Sequence, residues 1–324
     1  MNLLNRLALT IFLLFSSSTF ADVESILQEA KQGNNAAQFA LGYLYYEGKD
    51  VHQDFDEALK WYSLSAAQGN PAAQNNIGVM YEQGTGVAQD YNEALKWLRL
   101  SVDQKNAYAQ NNLGIMYANG LGVPQDYKEA IKCYKLAAHQ AYPIAANNVA
   151  TFYFKGLGTP KNYKEAFKWF LVSGVFGNSY GQFRVGTMYL HGQGVPKSYT
   201  KALIWFNQAA VQGRNDGQNS LGYLYANGLG VTKNYILAYM WTYLAAEKGN
   251  EAAKKNLTVF SKSMTLRQMI KAQAMSQICE SSEYKTCSLN YRNIIQEHSN
   301  HFSNRIKPHF LNKDWHSAIN WRLN

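Results

Sequence analysis

Apolar and small residues recur at three- and four-residue spacing, in short runs separated by junctions rich in Gly, Asn and Asp. In residues 71–83, Ala73, Ile77, Gly78, Met80 and Tyr81 form one stripe, which predicts an amphipathic helix A. Asn70 before it is a good N-cap, and Pro71 suits the first turn, where its missing N–H has no partner to lose. Gly84 is placed to end the helix in the left-handed conformation. A second stripe, Ala94, Leu95, Trp97 and Leu98, follows Asp90 and predicts helix B. The Asp90 carboxylate is expected to cap the Glu93 N–H while Glu93 reaches back, forming a capping box. Asp54…Glu57, Asp126…Glu129 and Asn162…Glu165 repeat the arrangement, whereas Ser198…Lys201 and Asn234…Leu237 keep only the cap.

This helix pair recurs every 36 residues, six times, without insertion or deletion. Gly42, Gly78, Gly114, Ala150, Gly186 and Gly222 keep the period, as do Tyr45, Tyr81, Tyr117, Tyr153, Tyr189 and Tyr225. Ala58, Ala94, Ala130, Ala166, Ala202 and Ala238 do the same. A Trp follows three residues later in five copies, with Cys133 taking its place in the other. A fixed period of this length marks a solenoid of stacked units. Because Ala150 replaces Gly without breaking the pattern, the glycine column is expected to serve close helix approach rather than a positive φ. Residues 22–34 read as a lone helix B that caps the N-terminus, with Ala30 and Gly33 one period before Ala66 and Gly69. Residues 251–287 read as C-terminal capping helices, the second opened by Thr265-x-x-Gln268 and carrying Leu266, Met269, Ile270 and Ala274. Terminal repeats are expected to be atypical because their outer faces meet water. From Ser288 the period stops, and the 288–324 tail shows only a predicted helix near residues 291–298.

The N-terminus adds a location. Arg6, the apolar run from Leu7 to Phe15 and the small-x-small ending Thr19-Phe20-Ala21 predict a signal peptide over residues 1–21, too short to span a bilayer. No later segment is apolar enough to cross a membrane. The mature chain is therefore expected in the periplasm or outside the cell. Cys279 and Cys287, eight apart and beyond the last repeat, are expected to pair there. Cys133, in the Trp column, is expected to be a small apolar core residue. The formal net charge of +9 invites a nucleic-acid reading. Its Lys and Arg residues are scattered along the repeats, however, with no run denser than Lys254-Lys255, so no nucleic-acid partner is expected.

The pattern A-x-x-x-L-G-x-x-Y-x-x-G-x-G-V-x-x-D-Y-x-x-A-x-x-W-x-x-x-A-A-x-x-G, carried by residues 35–250, resembles the Sel-1-like repeat family, a relative of the tetratricopeptide arrays. The resemblance implies an all-α fold of αα-hairpins wound into a right-handed superhelix with a concave inner face. It also implies a non-enzymatic adaptor for protein complexes, linked in secreted bacterial members to host-cell interaction or the envelope. Lys105 and Ala141 depart from it, standing where a Gly closes helix B.

Candidate chemistry is sparse. Ser198-x-x-Lys201 matches the motif of penicillin-recognising enzymes, and a cysteine-rich branch of the family has been connected to penicillin binding, which makes an envelope hydrolase or β-lactamase-like protein the alternative. Ser198 nevertheless sits in the column of helix-B N-caps, no Ser-Asp-Asn or Lys-Thr-Gly element accompanies it, and the repeats lack that branch's cysteine pairs. Gly84-x-Gly86 reads as a turn, because no strand precedes it. His298-x-x-His301 has metal-like spacing but no third ligand. No cofactor, metal or catalytic residue is expected.

Recognition is expected on helix A. Columns that vary between copies lie at spacings of three, four and seven, on one face opposite the packing stripe. In the first three copies they hold Phe39, Tyr43, Tyr46, Asn75, Val79, Asn111, Asn112 and Ile115. In the last three they hold Asn147, Thr151, Phe154, Phe183, Arg184, Thr187, Asn219 and Tyr223. Aromatics, Asn and Arg are the composition of a recognition groove. A monomer that binds a protein or peptide partner is therefore expected, with a cell-wall glycan as a further alternative for the aromatics.

Overall fold

The computed structural model describes residues 23–284 and Cys287, and among these every regular element is a helix. The expected signal peptide, the predicted helix near 291–298 and the His298–His301 pair lie outside the described residues. The chain divides into two compact units, Met1–Ala137 and Ala138–Asn324.

In the first unit, a lone helix α1 (residues 23–31) precedes hairpins α2 (Asn35–Glu47) with α3 (Phe55–Ala67) and α4 (Pro71–Gln83) with α5 (Tyr91–Asp103). α6 (Ala107–Asn119) then pairs with α7 (Tyr127–His139), whose last residues belong to the second unit. The second unit continues with α8 (Pro143–Lys155) and α9 (Tyr163–Val175), α10 (Ser179–His191) and α11 (Tyr199–Ala210), and α12 (Asn215–Asn227) and α13 (Tyr235–Glu247). α14 (Glu251–Ser261) and α15 (Leu266–Ser281) close it. α15 opens with the predicted capping box, in which Thr265 receives the Gln268 N–H and Gln268 receives the Thr265 N–H.

The junctions follow the residues that predicted them. Asn70 Oδ1 accepts from the Ala72 and Ala73 N–H groups, and Gly84 ends α4 at φ 72° with its N–H on the Met80 carbonyl. The Asp90 N–H donates back to the Tyr81 carbonyl at 3.0 Å, which ties helix B to the end of helix A. The same bond joins Asp54 to Tyr45, Asp126 to Tyr117, Asn162 to Tyr153, Ser198 to Tyr189 and Asn234 to Tyr225. The helix-B capping boxes expected at Glu57, Glu93, Glu129 and Glu165 are only half formed. Asp90 caps the Glu93 N–H at 3.1 Å, but the Glu93 carboxylate turns forward to Lys96. Glu57, Glu129 and Glu165 likewise pair with Lys60, Lys132 and Lys168, and Glu57 also receives the Trp61 indole N–H. A lysine three residues on competes for each carboxylate and wins over the cap N–H.

The glycine column acts through space. A Cβ on Gly42 would lie 2.6 Å from Tyr62 Cδ1, on Gly78 2.8 Å from Leu98 Cγ, and on Gly186 2.6 Å from Phe206 Cδ1. Tyr62, Leu98 and Phe206 are essentially sealed from water. Helix A therefore rides directly on a large helix-B side chain, at a separation only Gly or the single Ala150 permits. The Trp column is buried at Trp61, Trp169, Trp205 and Trp241, while Cys133 is half-buried against the first unit's core. Burial, reinforced by Glu129, pushes the Cys133 thiol up to about 11, so it is an inert packing residue.

Candidate interaction face

A column of glutamines holds helix A in place and was not anticipated from the sequence. Gln38, Gln74, Gln182 and Gln218 are buried, and each donates from Nε2 to the carbonyl eight residues earlier, in the last turn of the preceding helix. Each of those carbonyls also accepts the N–H of the glycine three residues on, so the glutamine fills its second lone pair. A second column answers it: Gln68, Gln104 and Gln212 donate to Gln38, Gln74 and Gln182 at 2.7, 2.8 and 2.7 Å. The signal was present as Gln in the same place of five copies. At the fourth copy Ala146 and Phe176 replace both members together.

On this frame the varying columns separate by depth. In the first unit, Tyr43 stands outermost at 46 % exposed, with Val79 and Ile115 half-buried in the same column. Phe39 stacks on Tyr62 at 5.8 Å and Tyr46 on Phe55 at 5.5 Å. Burial raises the Tyr46 pKa, with the neighbouring Glu47 charge adding to it. Beneath the outer column runs a chain of amides. Asn111 donates to Asn112 at 3.4 Å, Asn112 to Asn75 at 3.0 Å across two repeats, and Asn75 to Asn76 at 3.1 Å. Asn75 and Asn111 are buried, so they form the floor of this face.

In the second unit the outer column is Thr151, Thr187 and Tyr223, the last 43 % exposed. The two threonines back-bond to the Asn147 and Phe183 carbonyls at 2.8 and 2.9 Å. Phe183 stacks on Phe206 at 5.9 Å, and Phe154 on Tyr163 at 5.0 Å. Asn219 accepts from Asn256 of α14 at 2.9 Å, an addition from the C-terminal cap that the sequence pattern did not reveal. Asn147 is buried and donates to Asn178 at 2.9 Å. Arg184 is half-buried, its guanidinium carbon 4.5 Å from the Phe154 ring centre and 4.6 Å from that of Phe170. Nη1 of Arg184 donates to the Tyr180 hydroxyl at 2.9 Å.

The other candidates resolve simply. Ser198 Oγ accepts from the Lys201 N–H at 3.3 Å as an N-cap, and the Lys201 ammonium lies over the Tyr189 ring. Burial pushes the Tyr189 hydroxyl up to about 12. Cys279 and Cys287 are joined in a disulfide with Cα atoms 5.2 Å apart. Among the described residues no three His, Cys, Asp or Glu side chains converge on a metal site, and no helix is long and apolar enough to cross a membrane.

Stacked αα-hairpins, held by fixed Gly, Gln and aromatic columns and varying along one face of helix A, define a helical repeat scaffold. The Sel1 repeat profile matches residues 35–70, 71–106, 107–142, 143–172, 179–213 and 215–250. The chain belongs to the Sel1 repeat family. It is similar to the crystal structure of a protective antigen of uropathogenic Escherichia coli with an SLR fold, at 32 % identity and TM-score 0.72 over 84 % of this chain. The match spans 58 % of that antigen's length. It is also similar to a Sel1 repeat protein from Oxalobacter formigenes, at 33 % identity and TM-score 0.63, covering 70 % of this chain and 99 % of that one. No curated protein matches the chain. Sel1 repeat proteins are typically non-enzymatic scaffolds for protein–protein interaction.

Proposed function

We propose that this chain is an exported scaffold that binds a protein or peptide partner along the helix-A face, in host-cell interaction or envelope assembly. The observation that carries the reading is the outer column Tyr43, Val79 and Ile115 in the first unit and Thr151, Thr187 and Tyr223 in the second. These side chains stay partly exposed while Phe39, Tyr46, Asn75, Asn147 and Phe183 beside them are taken up in packing or hydrogen bonds. Exposed aromatics such as Tyr43 and Tyr223 on a packed helical support lose little freedom on binding, which is what a hot spot requires. The disulfide between Cys279 and Cys287 supports export, since such bonds persist in oxidising compartments.

The test is affinity capture of partners by the mature chain, followed by mass spectrometry and rebinding of the recovered partner. A variant with Tyr43→Ser and Ile115→Ser should lose it while keeping its melting temperature. A variant with Leu64→Ser and Leu100→Ser, which removes exposed apolar side chains from helix B, should retain it. Retention by the first variant and loss by the second would move the binding surface to helix B. Export is checked by sequencing the N-terminus of protein recovered from the cell envelope, which should begin at or near Asp22.

A further inference from the structure

Two observations in the second unit point to the chemistry of the partner. The first is an incomplete ladder. Asn112 donates to Asn75, and Asn256 donates to Asn219, in both cases 37 residues apart and across neighbouring repeats. The same spacing joins Asn147 to position 184, where Arg stands in place of Asn. Arg184 turns away onto Phe154, Phe170 and Tyr180, and the buried Asn147 Oδ1 accepts no hydrogen bond. A buried carbonyl oxygen left unpaired is costly, so Arg184 stands there at the expense of the ladder.

The second observation is charge. The one hydrogen bond of Arg184 goes to a neutral hydroxyl, and no carboxylate lies within ion-pair distance of it among the described residues. Asp216, the acidic group of the neighbouring α12, faces Arg214 at 3.4 Å. Arg214 in turn stacks on the other side of this cluster, 4.9 Å from the Tyr180 ring centre, with its Nε buried and unpaired. The imbalance extends through the unit. Residues 138–250 carry ten Lys and Arg against three Asp and Glu, a net +7, whereas residues 23–137 carry nine against thirteen, a net −4. A half-buried guanidinium held flat by aromatic rings is preorganised for a planar, two-oxygen acceptor.

We infer that the helix-A face of the second unit is an acidic-peptide site, in which the Arg184 guanidinium takes a carboxylate. The inference rests on the proposed helix-A face and names the partner's chemistry there. A Glu or Asp side chain of a peptide supplies the planar, two-oxygen acceptor that the guanidinium lacks. A nucleic-acid backbone calls for a dense basic stripe, and the unit's lysines are dispersed rather than massed.

The experiment uses the mature chain and a fluorescein-labelled dodecapeptide of repeated Ser-Glu-Leu, with Gln-for-Glu and Lys-for-Glu counterparts and a dT oligonucleotide of equal length. Fluorescence anisotropy should show binding of the Glu peptide only. Arg184→Asn should weaken it about 10- to 100-fold, as loss of a charge-assisted contact does. The same change restores the ladder to Asn147, so the melting temperature should rise by about 2 to 4 °C rather than fall. Arg184→Lys, which keeps the charge but not the flat fork, should recover only part of the affinity. Equal binding of the Glu and Gln peptides, or no binding of either, would overturn the inference. Tighter binding of the oligonucleotide that depends on Arg184 would overturn it in favour of nucleic acid. Partner capture that survives Arg184→Asn but fails with Tyr43→Ser and Ile115→Ser would leave the helix-A reading standing and remove only the acidic chemistry.

Discussion

Just before each helix B, the first unit places Gln53, Gln89 and Gln125, and the second places Lys161, Lys197 and Lys233. The glutamines donate to the Tyr46, Glu82 and Ala118 carbonyls at 2.9, 2.8 and 2.8 Å, closing the ends of their A helices. The lysines instead lie over the rings of Tyr163, Tyr199 and Tyr235 at 5.0, 4.6 and 4.8 Å. The same substitution of cation-on-ring for amide-on-amide recurs on the A helices. Asn75, Asn76, Asn111 and Asn112 form a connected chain in one unit, and Arg184 among Phe154, Phe170 and Tyr180 breaks the equivalent chain in the other. Backbone geometry is common to both, as the shared caps and the Gly column show. A repeat thus fixes where side chains stand and leaves their chemistry free, and the two units have been given opposite charge on one plan.

The largest expected effect comes from breaking what both regions share. Phe206 is fully buried, faces Gly186 and stacks under Phe183. Phe206→Ala should cost about 3–5 kcal/mol of unfolding free energy in a denaturant titration, through the cavity it leaves. Were it to cost less than Phe183→Ala, the face would be supporting the frame rather than resting on it.

The glutamine ladder comes next. Gln74→Ala removes the side-chain donor from the Ala66 carbonyl, which keeps the Gly69 N–H, and strands the Gln104 amide, so it should cost about 1–3 kcal/mol. The fourth copy shows the escape, since Ala146 and Phe176 remove donor and acceptor together. The double change Gln74→Ala with Gln104→Phe should therefore recover part of the loss, and a double-mutant cycle measures how much.

A smaller effect tests the amide chain itself. Asn112→Ala removes the donor to Asn75 Oδ1 and copies into the first unit the gap found at Asn147. It should lower stability by about 1 kcal/mol, opposite in sign to Arg184→Asn in the second unit. Two changes of the same sign would mean that the ladder is incidental and that the contrast between the units is one of charge alone.

Much of this was legible in the chain. Asn70, Gly84, Asp90 and Thr265 announced their caps because capping is local chemistry, readable within a few residues. The glycine column was legible because Ala150 alone interrupts it. The face was legible only in outline. Variation between copies marks Phe39, Asn75 and Phe183 as unconstrained, yet each packs against a neighbour that varies with it, as Phe183 on Phe206 shows. The setting of Arg184 was not legible, since Phe154, Phe170 and Tyr180 come from three helices that one-dimensional spacing does not bring together. The half-formed capping boxes were misread because Lys96 and its equivalents offer Glu93 and its equivalents a nearer charge.

The smallest expected effect lies at the junction where helix B hands over to the next repeat. Gly69, Gly177, Gly213 and Gly249 hold φ between 76° and 88° there, and Lys105 and Ala141 adopt 62° and 61° in the same column. The two junctions that lacked a Gly in the sequence therefore keep the common shape and bear the strain of a side chain in the left-handed region. That strain is about 1–2 kcal/mol, offset by the extra freedom Gly would have in the unfolded chain, about 0.5–1 kcal/mol. Lys105→Gly should accordingly stabilise the protein by about 0.5–1 kcal/mol. Nothing stands within 4 Å of a Cβ built at Gly69 or Gly177, so no packing is lost when the side chain goes. Ala141→Gly should give a similar gain. Lys105→Gly removes a positive charge from a unit that is already net acidic, which adds repulsion, so its gain should be the smaller of the two and should approach that of Ala141→Gly in high salt. A salt-independent difference between them would place its origin in local packing at the two junctions rather than in the charge that separates the two units.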